Sequence, residues 1–264
     1  MTKLLSYKVI LMLCCFFLTA KTSHSGNVSQ KEMYQLTVYH YTTTAQETVL
    51  NNYLKNALVP ALHRYGYKNI GVFRALANDT AAVKTLFVYM PIKNIKDHLA
   101  IAGKLHKDSS YQKAGAAYIN AVYTNAAYTR TEVILLKAFS LAPQMKLPKL
   151  TAAKNERVYE LRSYESATEK IFANKVYMFN EGGEIDLFKR LNFNAVFYAE
   201  VIAGSHMPNL MYMTSFENKT DREAHWKNFV DSPEWKKLST LPEYQNNVSH
   251  IDIMLLQPME YSDF

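Results

Sequence analysis

The residue types best suited to chemistry sit close together in the C-terminal half. In Val158–Tyr164 (VYELRSY) a carboxylate, Glu160, is followed two positions on by a guanidinium, Arg162, and then by Tyr164. On an extended chain that spacing puts all three side chains on one face. Such a carboxylate and guanidinium form either a buried structural pair or an anchor for the polar end of a ligand. Tyr164, with Tyr41 at the matching place in the N-terminal half, is either a hydrogen-bond donor to a ligand or a rim residue. Trp226 and Trp235, with Phe229 and Val230 between them, share a helical stripe that reads as core packing or as a pocket wall. These six residues are the candidate ligand-binding set.

Other chemistry finds no support. The chain has no GxSxG elbow, no Walker-type loop and no dinucleotide fingerprint, so no catalytic residue is assigned. Its histidines form no HxxH, HxxxH or HExxH pair, and His98 and His106 stand about two helical turns apart. Local spacing therefore gives no metal site, and no cofactor is expected. A haem ligand among His40, His63 or His206 is the remaining alternative. His225 reads as solvent-facing. Both cysteines, Cys14 and Cys15, lie in an N-terminal segment expected to be removed, which leaves no disulfide and no thiolate nucleophile.

That segment, residues 1–25, has the form of a signal peptide. Lys3 and Lys8 precede the apolar run Val9–Leu18, and Ala20 and a polar stretch follow. The run is too short to span a bilayer as a relaxed helix, so cleavage is expected rather than anchoring. The mature chain is then secreted or periplasmic, with no transmembrane segment. Its net charge of +7 is spread along 264 residues without a basic block, which gives no reason to expect nucleic acid. With 48% hydrophobic residues and only 8 glycines and 8 prolines, a packed core is required.

The elements that must position these residues occur twice. Residues 30–141 read as strand Met33–Tyr41, a helix opened by Thr44 and Glu47 and strained by Pro60, strands Asn69–Leu76 and Val83–Met90, helices from Asn94 through Tyr123, and strand Arg130–Phe139. The linker 142–154 (APQMKLPKLTAAK) loses apolar periodicity. Residues 155–264 repeat the order: strand Arg157–Tyr164, a helix opened by Ser166 and Glu169 and interrupted at Gly182-Gly183, strands Phe193–Ile202 and Leu210–Phe216, a helix opened by Thr220 and Glu223, another begun by Ser232-Pro233, and strand Val248–Leu256. An offset of 123 carries Val38 and Tyr41 onto Leu161 and Tyr164, and Phe87 and Tyr89 onto Leu210 and Tyr212. The fold class is α+β: two tandem ferredoxin-like β-α-β-β-α-β units forming a pseudo-dimeric barrel. Alternation divides the first strand of each unit into a set with Leu36, Val38, Tyr159 and Leu161 and a set with Tyr39, Tyr41, Glu160, Arg162 and Tyr164. The first set is expected under the helices and the second in the barrel interior.

Three stretches, VYELRSY, Leu210–Glu217 (LMYMTSFE) and above all Arg222–Leu238 (REAHWKNFVDSPEWKKL), resemble the NIPSNAP family of the dimeric α+β barrel superfamily. The resemblance is clear over the C-terminal half and reaches the first half only through the repeat, where Gly103 and Gln112 stand in place of the two tryptophans. It implies the barrel fold and roles in binding or interaction, with little chemistry. The expected function is therefore non-catalytic binding of a small apolar molecule or a protein partner, with a homo-oligomer allowed. The alternative is an enzyme of the cofactor-independent monooxygenase or isomerase type seen in barrel relatives, using Tyr164, Arg162 and His40. An interaction module without a cavity is a third reading.

Overall fold

The computed structural model describes residues 30–264, and the expected export segment lies outside these described residues. The first unit comprises β1 (Met33–Tyr41), α1 (Thr44–Tyr53), α2 (Val59–Arg64), β2 (Gly71–Ala75) and β3 (Lys84–Ile92). Four short helices follow, α3 (Ile95–Leu99), α4 (Ile101–Lys107), α5 (Ser109–Ala114) and α6 (Ala116–Ile119), and then β4 (Arg130–Ala138). The second unit opens with β5 (Val158–Glu165), α7 (Glu169–Asn180), α8 (Glu184–Arg190) and β6 (Phe197–Ala203). It ends with β7 (Asn209–Phe216), α9 (Lys219–Asp231), α10 (Pro233–Thr240) and β8 (His250–Pro258). No helix among the described residues is long and apolar enough to cross a membrane.

The eight strands close into one antiparallel barrel in the order β1-β3-β2-β8-β5-β7-β6-β4. Each unit supplies four neighbouring strands, and the units join at two seams, β2 with β8 and β4 with β6. Among the described residues closure leaves no free sheet edge, which removes the usual template for unwanted pairing. Because every neighbour is antiparallel, β1 and β5 run the same way, four steps apart around the barrel. Their C-terminal ends therefore meet at one mouth, together with the β6–β7 hairpin. The other mouth is covered by residues 142–154, where Met145 and Leu150 pack on the core, and by Phe264, whose ring lies 5.8 Å from Phe73 and 6.0 Å from Tyr159. Glu217 pins this linker by accepting hydrogen bonds from the Thr151 and Ala152 amides.

Helix starts fall one or two residues away from the expected boxes. The cap of α1 is Thr43 with Gln46, not Thr44 with Glu47. That of α7 is Thr168, because the Ser166 hydroxyl donates instead to the Asn247 carbonyl. Asn218, not Thr220, caps α9. Where several Ser, Thr and Asn residues precede a helix, the preceding strand's end decides which one caps. Asn94 and Ser232 cap where expected. Pro60 sits just after a π-helical turn, Leu54–Leu58, which separates α1 from α2. At Gly183 the chain takes φ +92° and starts α8, as the Gly-Gly pair suggests.

The face assignment is reversed. Leu36, Val38, Tyr159 and Leu161 point into the barrel with Phe73, Phe87 and Met213. Tyr39 and Tyr41 lie under the first unit's helices, and Tyr164 under the second's. Alternation gives two sets but, with both faces buried, does not say which is enclosed. The barrel interior is walled by sheet on every side and takes the set rich in aliphatic residues, with the rings of Tyr34, Tyr89 and Tyr159 among them. The helix layer meets water at its margins, and there hydroxyls can pair, as Tyr53 and Tyr111 do at 2.8 Å. The 123-residue offset is corrected in the same way. Val38 pairs with Phe87 and Leu161 with Met213, so the counterpart of Phe87 is Met213, 126 positions on (213 − 87), and not Leu210.

Candidate functional site

Glu160, Arg162 and Tyr164 follow one another along the helix-facing side of β5, and α9 and α10 lie over them. Glu160 has no exposed surface, yet its carboxylate is fully engaged. Oε1 accepts from Arg162 Nε at 2.5 Å, and Oε2 accepts from Arg222 Nε at 2.6 Å and from the Trp226 indole at 2.8 Å. The Arg162 guanidinium stacks on the Trp226 ring 3.6 Å from its centroid, a cation–π contact. Arg162 also donates to the Tyr164 hydroxyl at 3.0 Å, which pairs with the Tyr212 hydroxyl at 2.8 Å. Strand register explains Tyr212: it stands directly opposite Arg162 on β7.

These groups border a cavity of about 260 Å³. Arg162, Tyr164, Glu184, Tyr212 and Arg222 form its polar side, and Trp226, Phe229, Val230 and Trp235 its apolar side. Trp226 and Trp235 do not share a helical stripe, because Ser232 ends α9 before Trp235 on α10. They converge across that corner on Phe229, at 5.4 and 4.6 Å. Glu184 pairs at 2.9 Å with Lys175, which stands behind it, each side chain about 5% exposed or less.

The charges do not cancel. Glu160 faces both Arg162 and Arg222, and Lys175 balances Glu184, so the cluster carries one net positive charge. Burial alone would push the Glu160 carboxyl up, but the Arg222 hydrogen bond and the Arg162 charge outweigh it and hold it below its ordinary value. Burial and then the neighbouring Tyr164 push the Tyr212 phenol well above its ordinary range. It stays neutral.

Four of the six expected residues, Arg162, Tyr164, Trp226 and Trp235, line one cavity, and Glu160 lies buried beneath it, bonded to Arg162 and Trp226. Tyr41 does neither: it lies in the first unit and accepts a hydrogen bond from Asn78. There the partners of Glu160 and Arg162 on the repeat are Thr37 and Tyr39, and Tyr39 packs against Tyr118 and Tyr128. Sequence reading missed Arg222, Tyr212, Lys175 and Glu184. Arg222 had a signal, one helical turn before Trp226; the others reach the site only through tertiary contacts. His98 is a satisfied core residue between Gln35 and Tyr67. His225 is half-buried, edge-on to Phe193 and Phe216, rather than solvent-facing. His40 and His63 turn to Glu132 and Asp263. A larger groove of about 490 Å³ lies between the linker and the α8–β6 loop, but the lysines lining it, Lys146, Lys149 and Lys189, are all exposed.

The NIPSNAP family model matches residues 159–263, the segment that holds every residue of this cavity. The C-terminal half is a NIPSNAP domain. No curated protein matches the chain. Among solved structures, a provisionally named monooxygenase from Lactobacillus acidophilus NCFM aligns over 87% of this chain and 94% of its own, at 14% identity and TM-score 0.56. A protein called anthrone oxidase-like aligns over 88% and 93%, at 9% identity and TM-score 0.50. A NIPSNAP-like domain protein from Burkholderia xenovorans covers 41% of this chain and 90% of its own, at 18% identity and TM-score 0.37. At these identities the two full-length neighbours share the barrel with this chain and nothing finer. The NIPSNAP domain supplies the charged, tryptophan-walled cavity, and the first unit supplies the other half of the barrel.

Proposed function

We propose that the NIPSNAP domain binds a small molecule with a flat apolar body and an anionic or strongly accepting head. One observation carries this reading: two guanidinium groups share a single carboxylate at the edge of a cavity walled by Trp226, Phe229 and Trp235. A net positive charge beside apolar walls favours an anion whose body displaces water from the aromatic side. The protein does this outside the cytoplasm if residues 1–25 act as the export signal their pattern suggests. Recovery of the chain from medium or periplasm with a new N-terminus would support that part, and cytoplasmic retention at full mass would remove it.

The test uses a built-in reporter, because both of the chain's tryptophans line the cavity. Titration with 1-naphthoate should quench or shift their emission, and the neutral alcohol 1-naphthalenemethanol should do so more weakly. Arg162→Met should abolish the preference for the carboxylate, and because Glu160 keeps Arg222 and the Trp226 indole the variant should still give a folded circular dichroism spectrum at reduced stability. Equal response to both probes, or none, would remove the proposal.

A second reading, cofactor-independent oxygenation, draws on the hydrogen-bond chain from Arg162 through Tyr164 to Tyr212 that reaches the cavity. The names of two full-length fold neighbours point the same way. Against it, a phenol held well above its ordinary range does not take a proton from a substrate at neutral pH. Oxygen uptake with an anthrone-type substrate, lost in Tyr164→Phe, would favour this reading over binding alone.

A further inference from the structure

The barrel mouth where β1 and β5 end carries a second group of chemically able side chains, outside the cavity. Glu165 ends the interior-facing row of β5. His250 stands opposite it on β8, and Asp252 follows on the same face of that strand. One ligand atom from each of these three lies within 4.8 Å of the others. The β6–β7 hairpin stands on the rim beside them and brings His206 Nδ1 to 2.9 Å from Glu165 Oε1. On its far side Ser205 reaches Glu132, the partner of His40.

We propose that Glu165, His206, His250 and Asp252 form a binding site for a divalent transition-metal ion of the zinc type. Two carboxylates and two imidazoles offer a charge of −2 with mixed O and N donors, a set that suits Zn²⁺. Bonds of about 2.0–2.2 Å place tetrahedral donors about 3.4 Å apart, so small side-chain rotations close Glu165, His250 and Asp252 around an ion, and His206, already beside Glu165, turns in as the fourth donor. One further feature points to a ligand. Glu165 Oε1 is shut off from solvent and accepts no hydrogen bond of proper geometry, even with an imidazole nitrogen at 2.9 Å. The side chain as a whole is about one-fifth exposed, and the shielded oxygen faces His206, the nitrogen donor that would share an ion with it. Bound metal would fasten the hairpin to the β5–β8 edge of this mouth.

Sequence spacing conceals such a site because its donors come from two strands and a hairpin. The proposal is independent of the ligand cavity, which lies on the other face of β5.

The decisive experiment is calorimetric titration of the untagged chain with Zn²⁺, together with Co²⁺ absorption spectra. One ion per chain should bind, and Co²⁺ should give visible bands of a four-coordinate site. Glu165→Gln and His250→Ala should each weaken Zn²⁺ binding beyond the roughly 10–100-fold that outer-shell partners carry. His250 is exposed, so its loss does not threaten folding. His206→Ala should weaken binding and abolish the zinc-dependent protease protection of the hairpin. His63→Ala, beside Asp263 at a distant pair, should change nothing. Absence of binding, binding unchanged in His250→Ala, or binding lost in His63→Ala would each overturn the proposal.

Discussion

The Arg162 guanidinium lies 3.6 Å from the centroid of the Trp226 ring, and both groups hydrogen-bond the same buried carboxylate, Glu160. Strand β5 and helix α9 are thereby locked together by a charge that water does not reach. Ion pairs of this kind stabilise little when whole, because desolvation offsets the attraction, but losing one member is severe.

Replacing Glu160 by Ala should thus cost about 3–5 kcal/mol, since two arginines would be left facing each other without a counter-charge. Urea unfolding followed by tryptophan emission measures this. A loss under 1 kcal/mol would mean that the pair is solvated.

Glu160 also sets an acid limit. Its carboxyl is held below the ordinary value of 4.5 in the folded chain, so the unfolded chain binds the proton more tightly. The contribution is complete above the unfolded value and is lost as pH falls through the folded one. Stability of the wild type should drop as pH goes below about 4.5, and Glu160→Gln should be less stable at neutral pH with a shallower acid slope. Parallel slopes would refute the assignment.

Lys175 and Glu184 should show strong coupling. Lys175→Met alone leaves a carboxylate buried without its partner and should cost about 3–5 kcal/mol, whereas Lys175→Met with Glu184→Gln should recover most of the loss. A double-mutant cycle in urea checks this, and additive losses would show that the pair is not linked.

Leu161 and Tyr164 separate the two faces of β5. Leu161→Ala empties part of the barrel interior and should cost about 2–5 kcal/mol while leaving naphthoate affinity intact. Tyr164→Phe removes a hydroxyl bonded to Arg162 and Tyr212 and should cost about 0.5–1.5 kcal/mol while weakening the carboxylate probe. The reverse pattern would put the cavity inside the barrel.

The sequence by itself determined the order of elements. Strand β1 spans the residues its alternation marks, Asn94 and Ser232 cap their helices, and the break before α8 falls at Gly183. These are local effects of backbone freedom and side-chain spacing, and the repeat made two such units visible. Glu160, Arg162 and Tyr164 were likewise legible as neighbours, because a strand's two-residue period is fixed. Tertiary structure alone decided which face each set occupies. Period-two alternation is symmetric when both sides are buried, and only closure of the sheet makes one side drier than the other. It also decided that Arg222 and Tyr212 join the site, and that Glu165, His206 and His250 meet at one mouth. Those contacts depend on strand pairing and on where the hairpin stands at the rim, and neither leaves a mark in local spacing.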